Sequence, residues 1–233
     1  MIQSQKEQLE ILHSKINEEL RGEYKTNPVS YRKFKNANGR PYQAYERIGF
    51  EGLRWSVEKR IKEYALETYF KPGSRLLDIG SNYGFFVTEF ALKVALAHGV
   101  EPVPELCNIG RHTADYLGVE DKTEFFAVAF EDFEAPCKYN TIFSLASFFT
   151  SDEKQRSSAE SYFGKIHELL EQDGQFFYES TSFQRNVGDE DYEHYLHAQN
   201  ALVVLRELFH VSDNYEAKSG PENYRLFVRC EKK

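Results

Sequence analysis

Cysteine is scarce: Cys107, Cys137 and Cys230 are the only three in 233 residues, and they stand far apart and odd in number. That pattern supports neither a disulfide framework nor a zinc ribbon, and a reducing, cytoplasmic setting is expected. No run of about 18 apolar residues occurs, so no membrane span is expected. The opening MIQSQKEQLEILHSKINEELRGE lacks the apolar centre of a secretory signal, and none is expected. Internal repeats and low-complexity tracts are missing too. His194 and His197 lie three apart without a companion Glu motif, so they read as a solvated helix face and no metal site is expected.

Positive charge is also in deficit. Lys and Arg total 29 against 37 Asp and Glu, for a net charge of −8. That balance argues against a chain built to coat nucleic acid. The charge is uneven, because residues 1–70 hold 13 Lys and Arg against 10 Asp and Glu, leaving 16 against 27 for the remainder. Within the first part, Tyr31-Arg32-Lys33-Phe34-Lys35 and Arg40-Pro41-Tyr42 mix cations with aromatics. Such a stretch suits a phosphate or sugar-phosphate surface, a stacking platform for single-stranded RNA, or an ordinary solvated loop.

With 41% hydrophobic residues the chain can bury one α/β core. Residues 4–22 read as an amphipathic helix, with Leu9, Leu12, Ile16 and Leu20 on one stripe. An irregular segment, with a turn at residues 36–41, follows up to Phe50. A helix over 52–69 carries Leu53, Val57, Ile61 and Leu66, and Lys71-Pro72-Gly73 stops it. Strands are then expected near 75–79, 94–100, 124–129, 139–145 and 175–179. Helices fall near 84–92, 104–117, 152–172 and 190–208, the third ended by Asp173-Gly174. Residues 210–216 and 224–230 flank Ser219-Gly220-Pro221 and read as an antiparallel hairpin at the edge of a mostly parallel sheet.

Residues 74–86, SRLLDIGSNYGFF, carry the strongest chemical signal. A buried-strand pattern, Arg75 to Ile79, breaks into Gly80-Ser81-Asn82-Tyr83-Gly84 before a helix resumes, and a nucleotide-like ligand can lie against bare backbone in such a turn. A dinucleotide fingerprint needs further glycines where Asn82 and Phe85 stand. Asp78 just before the turn repels phosphate and suits a ligand with positive charge. Twenty-one residues past Gly80, Glu101 ends a second strand, at the distance where one carboxylate can grip a ribose diol. As a plain loop acid it would need no such registration with the turn.

Leu76-Leu77-Asp78-Ile79-Gly80-Ser81-Asn82-Tyr83-Gly84 resembles motif I of the class I S-adenosylmethionine-dependent methyltransferases. The resemblance, which spans roughly residues 50–231, implies a three-layer α/β sandwich with a mostly parallel seven-stranded sheet ending in an antiparallel hairpin. It implies S-adenosyl-L-methionine as cofactor, with Asp78 at its methionine end, Gly80 and Gly84 clearing the path of Cβ atoms, and Ser81 and Asn82 in the same turn. Glu101-Pro102 looks like the family's next motif. For adenine, family members often carry an Asp where this chain has Ala129, so the backbone near Phe130, with Glu131 or Asp132 as acceptor, is the substitute. An acid pair opening a helix would look the same. Leu145, at the end of the fourth strand, is expected on the cofactor side.

The acceptor side departs from the family. A His commonly follows the fourth strand in relatives tied to glycan assembly; Phe148 and Phe149 stand there instead. Glu179, ending the fifth strand, is the next candidate base, or a solvent-facing acid. Glu51-Gly52-Leu53-Arg54-Trp55 is similar to a segment in those relatives that lies near the acceptor entrance. Arg54 is therefore a candidate to pin an anionic acceptor, while Trp55 is expected to pack under the sheet. Residues 1–50 are expected to form a helix and lid, and residues 51–233 the cofactor-binding domain. The implied activity is methyl transfer to a hydroxyl or acid group of a sugar, sugar phosphate, glycan or small metabolite. An RNA modifier and a cofactor-binding pseudoenzyme are the alternatives, with a nicotinamide dehydrogenase the weakest. The sequence carries no signal for an oligomeric state.

Overall fold

The computed structural model describes residues 4–26, 41–149, 157–185, 190–218 and 222–233. The Tyr31–Arg40 stretch and the turn at 36–40 lie outside them. Seven strands form one sheet in the order β3-β2-β1-β4-β5-β7-β6. They are β1 (Arg75–Ile79), β2 (Leu96–Val100), β3 (Thr123–Phe126), β4 (Tyr139–Leu145), β5 (Leu170–Glu179), β6 (Phe209–Lys218) and β7 (Tyr224–Lys232). β1, β4 and β5 pair in parallel, as do β2 and β3, whereas β5, β7 and β6 pair antiparallel. This is the mostly parallel sheet with a terminal hairpin expected from the alternating pattern. By backbone contacts the chain divides into two compact units.

The first unit comprises residues 1–74 and 81–129. It holds α1 (Gln5–Thr26), α2 (Val57–Glu63), α3 (Phe85–Ala91), β2, α4 (Pro104–Leu117) and β3. A reciprocal cap opens α1: the Glu7 amide donates to the Ser4 hydroxyl and the Ser4 amide to the Glu7 carboxylate. The buried stripe Leu12, Ile16 and Leu20 packs α1 on α4, and Glu19 reaches Asn108 and His112 at 3.3 Å each. In α4 Pro104 sits in the first turn, and Gly118 in the left-handed region accepts the role of C-terminal cap.

The helix expected over 52–69 is shorter than its pattern. Ser56 caps α2, and the helix ends at Glu63, capped by Tyr64, because Ala65 turns left-handed (φ 48°) before a short 3₁₀ turn at Leu66–Tyr69. Val57, Ile61 and Leu66 are buried as expected, but Leu53 lies ahead of the helix and is exposed.

The second unit comprises residues 75–80 and 130–233, with β1, β4, α5 (Ala159–Leu169), β5, α6 (Glu190–Leu208), β6 and β7. Leu77, Ile142, Phe143, Phe176 and Phe177 are fully buried, and the Phe143 and Phe177 rings stack at 5.0 Å. Strands buried on both faces explain why these segments read as continuous apolar runs. α5 starts at the Ser158 cap and ends at Leu169, earlier than expected. β5 begins at Leu170, and Asp173 (φ 63°) makes its bend inside the strand and does not stop a helix.

Candidate functional site

In the first unit the glycine turn is fixed from three sides. Ser81 donates its amide to the Val100 carbonyl at 3.1 Å, which ties the turn to the end of β2. Asn82 (φ 52°) donates its amide to Glu101 Oε2 at 3.1 Å. Gly84 (φ 69°) caps α3, where a Cβ would stand 2.4 Å from the Phe125 ring and 2.9 Å from Gly110 Cα. No side chain fits there, so this glycine serves packing as well as backbone freedom.

Glu101 is 7% exposed and also accepts the Val103 amide at 3.2 Å. Burial pushes its carboxyl up to about 7, against the pull of those two amides. Behind it, the Cys107 thiol donates to the Glu101 carbonyl at 3.3 Å, and burial pushes that thiol up to about 12. Ser81 Oγ is buried and has no hydrogen-bond partner among the described residues. A polar atom in that position is ready for a ligand's donor or acceptor.

The segment from Pro41 to Phe50 lies against this turn. Tyr83 OH accepts the Tyr42 amide at 3.1 Å. Glu89 on α3 accepts Tyr45 OH at 2.7 Å and binds Arg47 through two bonds at 2.6 and 2.8 Å. Burial and the adjacent carboxylate push the Tyr45 phenol far up, and the bond to Glu89 raises the Arg47 guanidinium. Arg54 donates to Tyr42 OH at 3.3 Å with its guanidinium 5.7 Å from that ring. Trp55 is 50% exposed under the Lys59 ammonium at 3.9 Å. It does not pack under the sheet as expected, because it precedes the cap of α2 and faces outward there.

In the second unit Asp78 is buried on β1, opposite Phe143 of β4. Gly80 (φ 69°) is crowded by Ser147, whose Cβ would be 2.4 Å from an added one. Ser147, Ser144 and Tyr162 share a hydroxyl cluster at 2.9 to 3.3 Å. Burial pushes the Tyr162 phenol well up, the serine bonds oppose that, and the charges of Glu131 and Asp78 add to it. Phe130 is buried edge-on to Tyr162 at 5.0 Å, and Lys165 Nζ donates to the carbonyls of Phe130 and Glu131 at 2.7 and 2.9 Å. Glu131 and Asp132 are exposed, and Leu145 is half-buried at the end of β4.

Glu179 is 0% exposed and accepts Arg225 Nη1 at 3.1 Å, so its carboxylate is tied in an ion pair and does not face solvent. The sequence reading missed Arg225, since the partner lies 46 residues away on an antiparallel strand. His194 and His197 are not a solvated helix face either. Their rings enclose Phe149, at 4.9 and 4.4 Å. Their spacing placed both on one side of a helix, but nothing local showed that an aromatic would fill the gap. Among the described residues no group of three His, Cys, Asp or Glu side chains is placed to hold a metal.

No protein-family model matches the sequence, and no curated protein matches it. Solved structures do. The cyclase SpnF is 16% identical, with 84% of this chain and 89% of its own covered and a TM-score of 0.64. The N-methyltransferase NodS from Bradyrhizobium japonicum WM9 is 13% identical over 75% of this chain and 94% of its own, with a TM-score of 0.57. A methyltransferase from Geobacter sulfurreducens, solved in complex with S-adenosyl-L-homocysteine, is 12% identical over 75% and 91%, with a TM-score of 0.58. Likeness at these identities speaks for architecture: the chain has the Rossmann-like fold of the class I S-adenosylmethionine-dependent methyltransferases.

Proposed function

We propose that this protein transfers a methyl group from S-adenosyl-L-methionine to a hydroxyl or acid group of a sugar, sugar phosphate, glycan or other small molecule. The observation that carries the reading is Glu101, a buried acid at the end of β2 whose carboxylate is tied to the glycine turn by the Asn82 amide. A carboxylate held there, once ionised, accepts both hydroxyl hydrogens of a ribose. The cofactor supplies an electrophilic methyl group on a sulfonium centre. The residues present fit it: Ser81 Oγ is buried with no hydrogen-bond partner among the described residues, and Asp78 is a buried acid suited to an ammonium. In this reading Asp78, Gly80, Ser81, Asn82, Gly84 and Glu101 hold the methionine and ribose. Phe130, Glu131, Asp132 and Leu145 face adenine, and the Lys165 clamp fixes the 130–131 backbone for that purpose. Arg54, oriented by Tyr42, receives an anionic acceptor.

A second reading, a cofactor-binding pseudoenzyme acting as scaffold or regulator, is favoured by Phe148 and Phe149 in place of a His after β4 and by Ala129 in the adenine slot. Calorimetry and product analysis separate the two. Titration with S-adenosylhomocysteine is expected to give saturable binding and NADH none. Labelled methyl is then expected to appear on a hydroxyl or carboxyl product. Indifference to the nucleoside at millimolar levels removes the cofactor assignment; binding without transfer favours the second reading.

A further inference from the structure

Three chain segments meet around Phe149, four residues beyond β4. The His197 ring of α6 stacks on Phe149 at 4.4 Å and 21°, and the His194 ring meets it edge-on at 4.9 Å and 69°. Ser182, just past β5, accepts His194 Nδ1 on its carbonyl at 3.1 Å. A carbonyl only accepts, so that bond places the proton on Nδ1 and directs the basic lone pair of His194 to Nε2. The Ser182 hydroxyl in turn accepts Arg225 Nε at 3.1 Å, and Arg225 Nη1 donates to the fully buried Glu179 at 3.1 Å. Three hydrogen bonds thus run from a rigid strand end to an imidazole. The cluster stands beyond the carboxyl ends of β4 and β5, where open α/β sheets take their substrates.

The chemistry of the cluster is that of a proton acceptor. Burial and the neighbouring His194 hold the His197 imidazole below its ordinary range, with Glu193 opposing, so the ring is neutral near pH 7. A hydroxyl acceptor must lose its proton as it is alkylated, and a neutral, fixed imidazole meets that need.

We propose that His197 takes the proton from a hydroxyl-bearing acceptor, and that His194, Ser182, Arg225 and Glu179 form the positioning chain behind it. This rests on the methyl-transfer reading above. The acceptor oxygen gives its proton to His197 and forms the new O–C bond. The C–S bond breaks with its electron pair going to sulfur, and the imidazolium then releases its proton to solvent. Glu179 acts through Arg225 and touches no substrate.

Two measurements test this. In protein carrying ¹⁵N-histidine, ring shifts are expected to show His194 as the Nδ1–H tautomer and His197 neutral at neutral pH. A His194 ring protonated on Nε2 alone overturns the positioning chain. In transfer assays over a panel of hydroxyl-bearing sugars and phenols, His197→Gln and His197→Asn are expected to lower kcat by at least about 100-fold. S-adenosylhomocysteine binding and the KM for the methyl donor stay unchanged, which shows that the variants fold. The exposed His210→Gln is the control and retains wild-type rates. Either His197 variant within a few-fold of wild type overturns the proposal. So does a wild-type chain that binds the nucleoside but methylates no hydroxyl, and that result leaves the cofactor reading standing. Failure to bind the nucleoside overturns both.

Discussion

The Asn82 amide donates to the Glu101 carboxylate at 3.1 Å, linking the turn after β1 to the acid that closes β2. Burial lifts that carboxyl from 4.5 to about 7, so the fold favours its neutral form. The resulting stabilisation is full below about pH 4.5, is lost as pH rises through about 7, and is absent above. Glu101→Gln, neutral throughout, is expected to remove this decline and to leave the ligand-free chain more stable than wild type at pH 8, by about 1–3 kcal/mol. The same variant is expected to lose about 10- to 100-fold in S-adenosylhomocysteine affinity, as a charged acceptor is removed. Urea titrations at pH 5 and 8 and calorimetry check both; equal pH slopes for the two proteins would refute the linkage.

Gly84→Ala separates packing from backbone strain. Its Cβ meets Phe125 at 2.4 Å, whereas Gly73, also left-handed at φ 88°, has nothing within 4 Å. Left-handed strain alone costs about 1–2 kcal/mol and overpacking a further 1–3. Gly84→Ala should therefore lose more stability than Gly73→Ala, and matching midpoints in denaturant would contradict the crowding at 84.

Arg225→Met leaves the Glu179 carboxylate buried without its guanidinium partner. A loss of about 3–5 kcal/mol is expected. Adding Glu179→Gln removes the stranded charge, so the double variant should recover part of that loss. Chemical denaturation of the four proteins gives the coupling, and strict additivity would show that the pair is not energetically joined.

Glu89→Gln weakens the bonds that hold Tyr45 and Arg47 on α3. Hydrogen bonds to charged groups contribute about 1.5–3 kcal/mol, and the half-exposed Arg47 contributes at the low end. Chymotrypsin should then cut faster at Tyr42, Tyr45 and Phe50. An unchanged cleavage rate would mean that the segment is held by apolar contacts alone.

Much of the fold was legible because its determinants are local. The run Arg75–Ile79, the glycine turn and Pro104 at the head of α4 each act within a few residues. The errors fall where a local pattern met a tertiary choice. Ala65 takes a left-handed conformation and ends α2 early, and β5 begins before the Asp173-Gly174 pair that reads as a helix stop. Trp55 was expected under the sheet, but its position ahead of a helix cap leaves it outside.

The sequence alone determined the order of strands and helices, the missing phosphate fingerprint and the spacing from Gly80 to Glu101, since periodicity and turn chemistry are properties of neighbouring residues. Only the tertiary structure decided that Glu179 is buried against Arg225, that α1 lies on α4, and that two imidazoles close around Phe149. Those relationships join residues distant in the chain, and their partners are chosen by sheet order and helix packing, which no local pattern records.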